Sequence, residues 1–129
     1  MMKIRELEIY LEEFSELLPE NKEIFLKSLM NRRAIERQLQ ILIESVIDIC
    51  FILLKELKIH LPSDEDTIFD LLQDYLSNWQ NLKEMKSFRN LLVHRYGSVE
   101  DEKVYELITE EMGDFDIFIN DIKKILKMQ

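Results

Sequence analysis

The segment Arg89 to Tyr96, RNLLVHRY, brings together the side-chain types that can cleave a phosphodiester bond. A histidine whose pKa lies near neutrality can move a proton at a ribose 2′-hydroxyl or at the leaving oxygen. A guanidinium can hold a phosphate through paired hydrogen bonds and stabilise the charge that develops in the transition state. His94 is therefore the candidate proton carrier, and Arg89 is the candidate phosphate ligand.

Helical spacing determines which of these side chains can meet. Asn90 and His94 are four residues apart, so in an α-helix they share a face, and Asn90 can orient the imidazole or hold substrate. Arg89 lies about 140° around the helix axis from His94, but its long side chain can reach the same cavity. If the helix persists, Arg89 and Tyr96 also share a face. The spacing alone permits phosphate chemistry without requiring it.

The best acidic pair is Glu44 and Asp48, four residues apart on a long predicted helix. We expect these carboxylates to pair with Arg33, Arg37 or Arg89 rather than bind a metal ion, since a metal-dependent nuclease needs a convergent cluster of carboxylates. The sequence contains no zinc motif, glycine-rich phosphate loop or nucleophile elbow. We therefore predict no metal site and no cofactor.

Composition narrows the class of protein. With 129 residues, 47% hydrophobic and 33% charged, the chain is predicted to form one folded domain over 1–129. The net charge of -9 argues against a generic nucleic-acid coat, which would be basic, but it permits an RNA enzyme with a local cationic pocket. It also suits a protein that binds a basic partner.

The sequence also bears on location. The single cysteine, Cys50, excludes an intramolecular disulfide and is predicted to be a buried core residue. The first residues include acids throughout and lack the apolar segment of a signal peptide. No segment reaches the ~20 apolar residues needed to span a membrane. We expect a cytoplasmic protein with no membrane partner.

Apolar periodicity predicts an all-α, up-and-down bundle of four to five helices. Only two glycines and two prolines occur, which suits long helices, because each breaker costs about 1 or 3 kcal/mol in a helix interior. Ser63 and Asp66 resemble a capping box, and Gly113 is a possible bend in the last helix. The predicted helices run over about 3–18, 22–59, 66–76, 81–96 and 99–126.

The second predicted helix is unusually long. It carries two neighbouring apolar stripes, as expected for a helix at the centre of a bundle. The first stripe consists of Ile35, Leu39, Leu42, Val46, Ile49 and Leu53, and the second consists of Ile43, Ile47, Cys50 and Leu54. At 1.5 Å per residue it would approach ~55 Å, more than a small bundle needs. We therefore expect part of it to pack on another subunit, which predicts a homodimer.

The same residues resemble a known family. HEPN proteins share an Arg followed four to six residues later by His, and HepT-type members have the fuller pattern Arg-x4-His-x-Tyr, which here reads RNLLVHRY. The flanking stretches RAIERQLQILIESVIDIC and FRNLLVHRYGSVEDEKVYELI are similar to the family's long second helix and its motif region. The resemblance covers about residues 3–125.

The resemblance implies a fold and an activity. The fold is a HEPN-like helical bundle that dimerises, with two motifs facing a shared cleft. The activity is that of a metal-independent endoribonuclease, the toxin of a type VII toxin–antitoxin system. Transfer RNA and messenger RNA are both open as substrates.

The resemblance also implies residue roles. Arg89 and His94 become the catalytic pair, supported by Asn90, while Arg95 at the variable position adds cationic character. Tyr96 corresponds to the tyrosine that the cognate antitoxin, a minimal nucleotidyltransferase called MntA, modifies with AMP. For the polar residue that the second helix contributes, Glu44 and Asp48 are both candidates.

Two other interpretations remain open at this point. The chain can be a non-catalytic helical partner subunit of a minimal nucleotidyltransferase, with a motif that only binds nucleotide or phosphate. The net charge of -9 favours this alternative. In the plainest interpretation the chain is a structural bundle in which His94 only caps a helix.

Overall fold

The computed structural model describes residues 2–94 and 101–128, and their regular secondary structure is entirely helical. The all-α prediction is therefore confirmed, but the predicted count of four to five helices is too low, because the described residues form seven α-helices. The elements are α1 (Met2–Leu17), α2 (Lys22–Lys27), α3 (Leu29–Glu56), a 3-10 turn (Glu65–Thr67), α4 (Ile68–Leu71), α5 (Trp79–His94), α6 (Asp101–Glu110) and α7 (Gly113–Met128).

Ser28 divides the predicted second helix in two. Its backbone is extended, with φ -106° and ψ 105°, and its hydroxyl accepts a hydrogen bond from the Asn31 backbone N–H at 3.2 Å. A serine in this role satisfies one of the N–H groups that a helix leaves unpaired at its start. The remaining helix, α3, has 28 residues and is about 42 Å long, so the predicted length was too great.

Two further predicted helices differ in a similar way. The last one is broken rather than bent, because α6 ends at Glu110 and α7 begins at Gly113. The third is reduced to the 3-10 turn and the four residues of α4. Asp64, not Ser63, caps this turn, with its carboxylate accepting a hydrogen bond from the Thr67 N–H at 3.3 Å. The predicted capping box was therefore one residue out of place.

Helix α3 lies at the centre of the bundle, as its apolar pattern predicts. Both apolar stripes are buried, and Cys50 is fully buried among them. Burial raises the pKa of the Cys50 thiol well above its usual range, so the side chain behaves as an inert core residue. Helices α1 and α5 pack against α3, and the buried apolar residues of the other helices join the same cluster.

Between Arg33 and Asp48, the side of α3 opposite the core is polar. Its exposed or half-buried members are Arg33, Arg37, Gln40, Glu44 and Asp48, which we call the outer stripe.

Within residues 2–94 and 101–128, no helix is long and apolar enough to cross a bilayer.

At the junction between α6 and α7, several acidic side chains surround the carboxylate of Glu111. Partial burial raises the pKa of Glu111, and the nearby charges of Asp114, Glu106, Glu84 and Glu110 raise it further. A raised pKa means that the ionised form is less favourable in the folded chain than in the unfolded chain. Stability is therefore lost as the pH rises through the ordinary and then the raised pKa.

We expect Glu111→Gln to increase the free energy of unfolding at pH 7. The gain should be less than about 1 kcal/mol, because the group is largely exposed and screened by solvent. It should shrink towards pH 4, where the wild-type carboxyl is protonated in both states. Urea unfolding at both pH values measures this, with exposed Glu13→Gln on α1 as the control. A lower stability of Glu111→Gln at pH 7 would contradict the assignment.

Candidate functional site

Helix α5 carries the candidate motif and ends at its histidine. Arg89 and Asn90 lie in its last two turns, and His94 is its final residue. The backbone therefore places Asn90 and His94 one turn apart on the same helical face, as their spacing predicts. The predictions for Arg95, for Tyr96 and for the side chain of His94 fall outside the described residues.

The Arg89 side chain lies between two carboxylates from different elements. Its Nη2 donates a hydrogen bond to Glu65 Oε2 at 2.6 Å, and its Nη1 lies 3.7 Å from Glu44 Oε1. The side chain is only 12% exposed, and its Nε is buried without a hydrogen-bond partner within the described part of the chain. One of its N–H groups is thus unused, and a buried unused donor is a costly feature for a residue with a purely structural role.

The structure distinguishes the two acids proposed for the long helix. Glu44 is half-buried and reaches Arg89. Asp48 lies one turn further along the outer stripe, is exposed, and forms no ion pair within residues 2–94 and 101–128. Asn90 is half-buried beside Arg89. The geometry therefore brings together Arg89, Asn90 and Glu44, and leaves Asp48 apart.

Three ion pairs hold the segment 65–70 against α5. From Lys83 to Arg89, every third residue of α5 is a cation, and each meets an acid. The pairs are Lys83–Asp70 at 2.9 Å, Lys86–Asp66, and Arg89–Glu65 at 2.6 Å. We call this set the ion-pair ladder. Because the segment is held at three points, the carboxylate of Glu65 has a fixed place beside Arg89.

The middle pair of the ladder is asymmetric in its burial. The Lys86 side chain is 2% exposed, whereas that of Asp66 is 78% exposed. The hydrogen bond and the charge of Lys86 lower the pKa of Asp66, and the charge of Lys83 contributes further. A buried ammonium group needs such a partner, because an unpaired charge in an apolar environment is strongly unfavourable.

Glu65 is not among the site residues predicted from the sequence. It lies 24 residues before Arg89 in the chain, and residues 63–66 were interpreted only as a helix start. The available signal is a charge pattern, with Glu65, Asp66 and Asp70 before the helix and regularly spaced cations within it. These acids can be matched with these cations only when the two segments are known to be adjacent.

One cavity lies away from the motif. A volume of about 710 Å³ opens between α1 and the α6–α7 region, and none of its lining residues belongs to the motif. Among residues 2–94 and 101–128, no three His, Cys, Asp or Glu side chains are grouped as metal ligands would be.

The chain matches the family described as Ribonuclease HepT-like over residues 7–122. The match spans most of the chain, so this protein belongs to the HepT-like ribonuclease family. The resemblance inferred from the motif is thereby confirmed.

Solved structures with the same fold belong to toxin–antitoxin complexes. One is a tri-AMPylated Shewanella oneidensis HEPN toxin in complex with an MNT antitoxin, with TM-score 0.86, 25% identity, and 95% of this chain and 94% of that chain covered. An MntA–HpeT toxin–antitoxin mutant has TM-score 0.82, 23% identity and 95% of both chains covered. A toxin–antitoxin complex with AMP-PNP has TM-score 0.85, 22% identity and 95% of both covered.

The fold is therefore HEPN-like, as expected. The second and third of these structures are too distant in sequence to support more than the fold. No curated protein sequence matches the chain significantly.

We expect Glu65→Gln to increase the affinity of Arg89 for a phosphodiester ligand by up to about fivefold. The reason is that a phosphate must compete with the Glu65 carboxylate for Arg89, and an exposed ion pair is worth up to about 1 kcal/mol. Fluorescence anisotropy with a 2′-O-methyl RNA that cannot be cleaved measures the affinity. Exposed Asp74→Asn removes the same charge away from Arg89 and is the control. Weaker binding by Glu65→Gln would mean that Glu65 instead helps to hold the RNA ligand.

Proposed function

We propose that this protein is a metal-independent endoribonuclease and the toxin of a type VII toxin–antitoxin system. The observation that carries the proposal is the position of Arg89 and His94 in the last turns of one helix of a HepT-like ribonuclease. The largely enclosed guanidinium of Arg89, with its unused Nε N–H, supports a role in binding an anion. Cytoplasmic RNA is the substrate class.

The proposed reaction uses the ribose 2′-hydroxyl as the nucleophile. The 2′-oxygen attacks phosphorus, so the P–O2′ bond forms while the P–O5′ bond breaks. The 2′-oxygen loses its proton and the 5′-oxygen gains one, which leaves a 2′,3′-cyclic phosphate and a 5′-hydroxyl. His94 serves one of these proton transfers, because a histidine ordinarily titrates near neutral pH.

The remaining side chains stabilise and orient the phosphate in this proposal. Arg89 donates to the non-bridging oxygens, whose charge increases in the transition state. Asn90, on the same face of α5 as His94, orients the imidazole or holds substrate. Arg95 adds positive charge at the end of the helix, and Glu44 holds Arg89 from α3. Asp48 has the weakest support of these candidates, since it does not reach Arg89.

A homodimer completes the proposed site, with half of the catalytic groups from each subunit. The predicted excess length of the second helix no longer supports it, since α3 begins only at Leu29. Support comes instead from α5, where two residues within the motif are exposed, Leu91 to 46% and Val93 to 45%. Large apolar side chains next to a site favour coverage by another protein surface.

The proposed off-switch is AMP attached to Tyr96 by a cognate MNT nucleotidyltransferase. The phenol oxygen attacks the α-phosphate of ATP, and pyrophosphate leaves. The AMPylated state of the Shewanella oneidensis HEPN toxin supports this proposal. A bulky anionic adenylate two residues after His94 would block the site and compete with RNA for Arg89.

We expect the purified protein to cleave RNA in the presence of EDTA. His94→Ala or Arg89→Ala should lower the rate about 10²–10⁴-fold, as for the loss of an acid–base or charge-stabilising group. A gel assay on total RNA measures cleavage. The control is His60→Ala, since His60 is exposed and lies outside the motif.

Two outcomes would contradict this proposal. Wild-type cleavage that requires added divalent metal would overturn the mechanism. Growth arrest on expression that is equal for wild type and His94→Ala would favour the alternative, a non-catalytic partner subunit that binds nucleotide or phosphate.

We also expect intact-mass spectrometry to show added AMP units after co-expression with a cognate MNT nucleotidyltransferase. Tyr96→Phe should remain unmodified, because it lacks the phenol oxygen that attacks ATP. Tyr75→Phe is the matched control, since Tyr75 is an exposed tyrosine elsewhere on the surface. The modified protein should lose RNA cleavage, and full activity despite complete modification would disprove the proposed switch.

A further inference from the structure

Positive charge is concentrated in one part of this acidic chain. Residues 21–40 hold five of the 17 lysines and arginines but only two of the 26 acids, while the whole chain has a net charge of -9. This region comprises α2 and the N-terminal part of α3. The first turn of α3 contains no acid, so the positive end of the helix dipole is not neutralised there.

Most cations of this region are already paired with carboxylates. Lys22 meets Glu102 at 3.4 Å, Lys27 meets Glu23 at 2.8 Å, and Arg32 meets Asp101 at 3.4 Å. Arg33 pairs with the buried Glu36 at 2.9 Å. Arg37 differs, because its Nη1 donates a hydrogen bond to the neutral Gln40 Oε1 at 3.2 Å. Among the described residues its side chain contacts no carboxylate, so its charge is uncompensated.

The outer stripe connects Arg37 with the candidate site. Arg37 and Glu44 are seven residues apart, so they lie within about 20° of each other around α3 and about 10 Å apart along it. Arg33 lies one further turn away, on the same side. Glu44 in turn contacts Arg89. Beyond Glu44 the stripe becomes acidic at Asp48, so the favourable direction for a polyanion runs from Arg89 towards the start of α3.

We propose that Arg37, assisted by Arg33, is a subsite for the ribose–phosphate backbone of RNA next to the phosphate held by Arg89. This inference rests on the proposed ribonuclease function. A guanidinium binds phosphate through a planar pair of donors, and contacts to phosphate position a strand without reading its sequence. The subsite explains how an acidic protein can hold a polyanion, since the attraction is local.

The subsite predicts a defined kinetic effect. Arg37→Gln should raise the KM for a short RNA about three- to tenfold and leave kcat within about twofold, since Arg37 does not touch the reacting phosphate. The slope of log affinity against log salt should become shallower by about 0.7, the value for one phosphate contact on a single strand. Arg33→Gln should act in the same direction, and the charge reversal Arg37→Glu should act more strongly.

Lys55→Gln is the matched control. Lys55 is exposed on the same side of α3, eleven residues after Glu44, just as Arg33 lies eleven residues before it. Lys55→Gln and Arg33→Gln therefore each remove one positive charge, at equal distances from Glu44 in opposite directions along α3. Lys55→Gln should leave KM and the salt slope unchanged. Thermal unfolding and light scattering should show that all variants keep the wild-type fold and oligomeric state.

Several results would overturn the subsite. Equal KM increases for Arg37→Gln and Lys55→Gln would show that only overall charge matters. An unchanged KM with weaker binding to the MNT nucleotidyltransferase would assign this surface to a protein partner. A change in oligomeric state with Arg37→Gln would assign it to a subunit interface.

Binding to 2′-O-methyl RNA separates this inference from the proposed catalysis. If the wild type binds this RNA but cleaves no RNA, the catalytic proposal fails while Arg37 can still be tested by affinity. If Arg37→Gln binds as tightly as the wild type while the wild type cleaves, the subsite fails and the catalytic proposal stands.

Discussion

The burial of α3 is the constraint on which the rest of the structure depends. Its two apolar stripes are buried, so other helices must cover that face of α3 along most of its length. Helices α1 and α5 meet that requirement most directly. The outer stripe remains uncovered, and the candidate site forms where the end of α5 reaches it through Arg89 and Glu44.

Packing alone does not determine the surroundings of Arg89. The ion-pair ladder brings the 3-10 turn against α5 and places a second carboxylate, that of Glu65, on the guanidinium. A guanidinium between two carboxylates has a locally negative environment, so a phosphate at the proposed site would compete with them for its N–H groups. The exposure of both carboxylates favours this exchange, because a side chain released into water keeps its hydration.

Charge distribution allows an acidic chain to bind the polyanionic substrate that we propose. The net charge of -9 disfavours long-range attraction of RNA, but the start of α3 has a local excess of positive charge. Salt screens interactions beyond about 10 Å, so the local arrangement matters more at close range than the total. A protein of this kind would bind RNA weakly in general and hold it where Arg37 and Arg89 are aligned.

The sequence by itself determined the helical class, the buried stripes of α3 and the motif from Arg89 to Tyr96, because each depends on residues close together in the chain. It did not reveal the helix break at Ser28, where short-range capping interrupts a continuous apolar pattern, or the break at residues 111–112. Only the tertiary structure chose Glu44 over Asp48 as the neighbour of Arg89 and added Glu65. Those contacts join residues at least 24 positions apart, and local spacing carries no information about them.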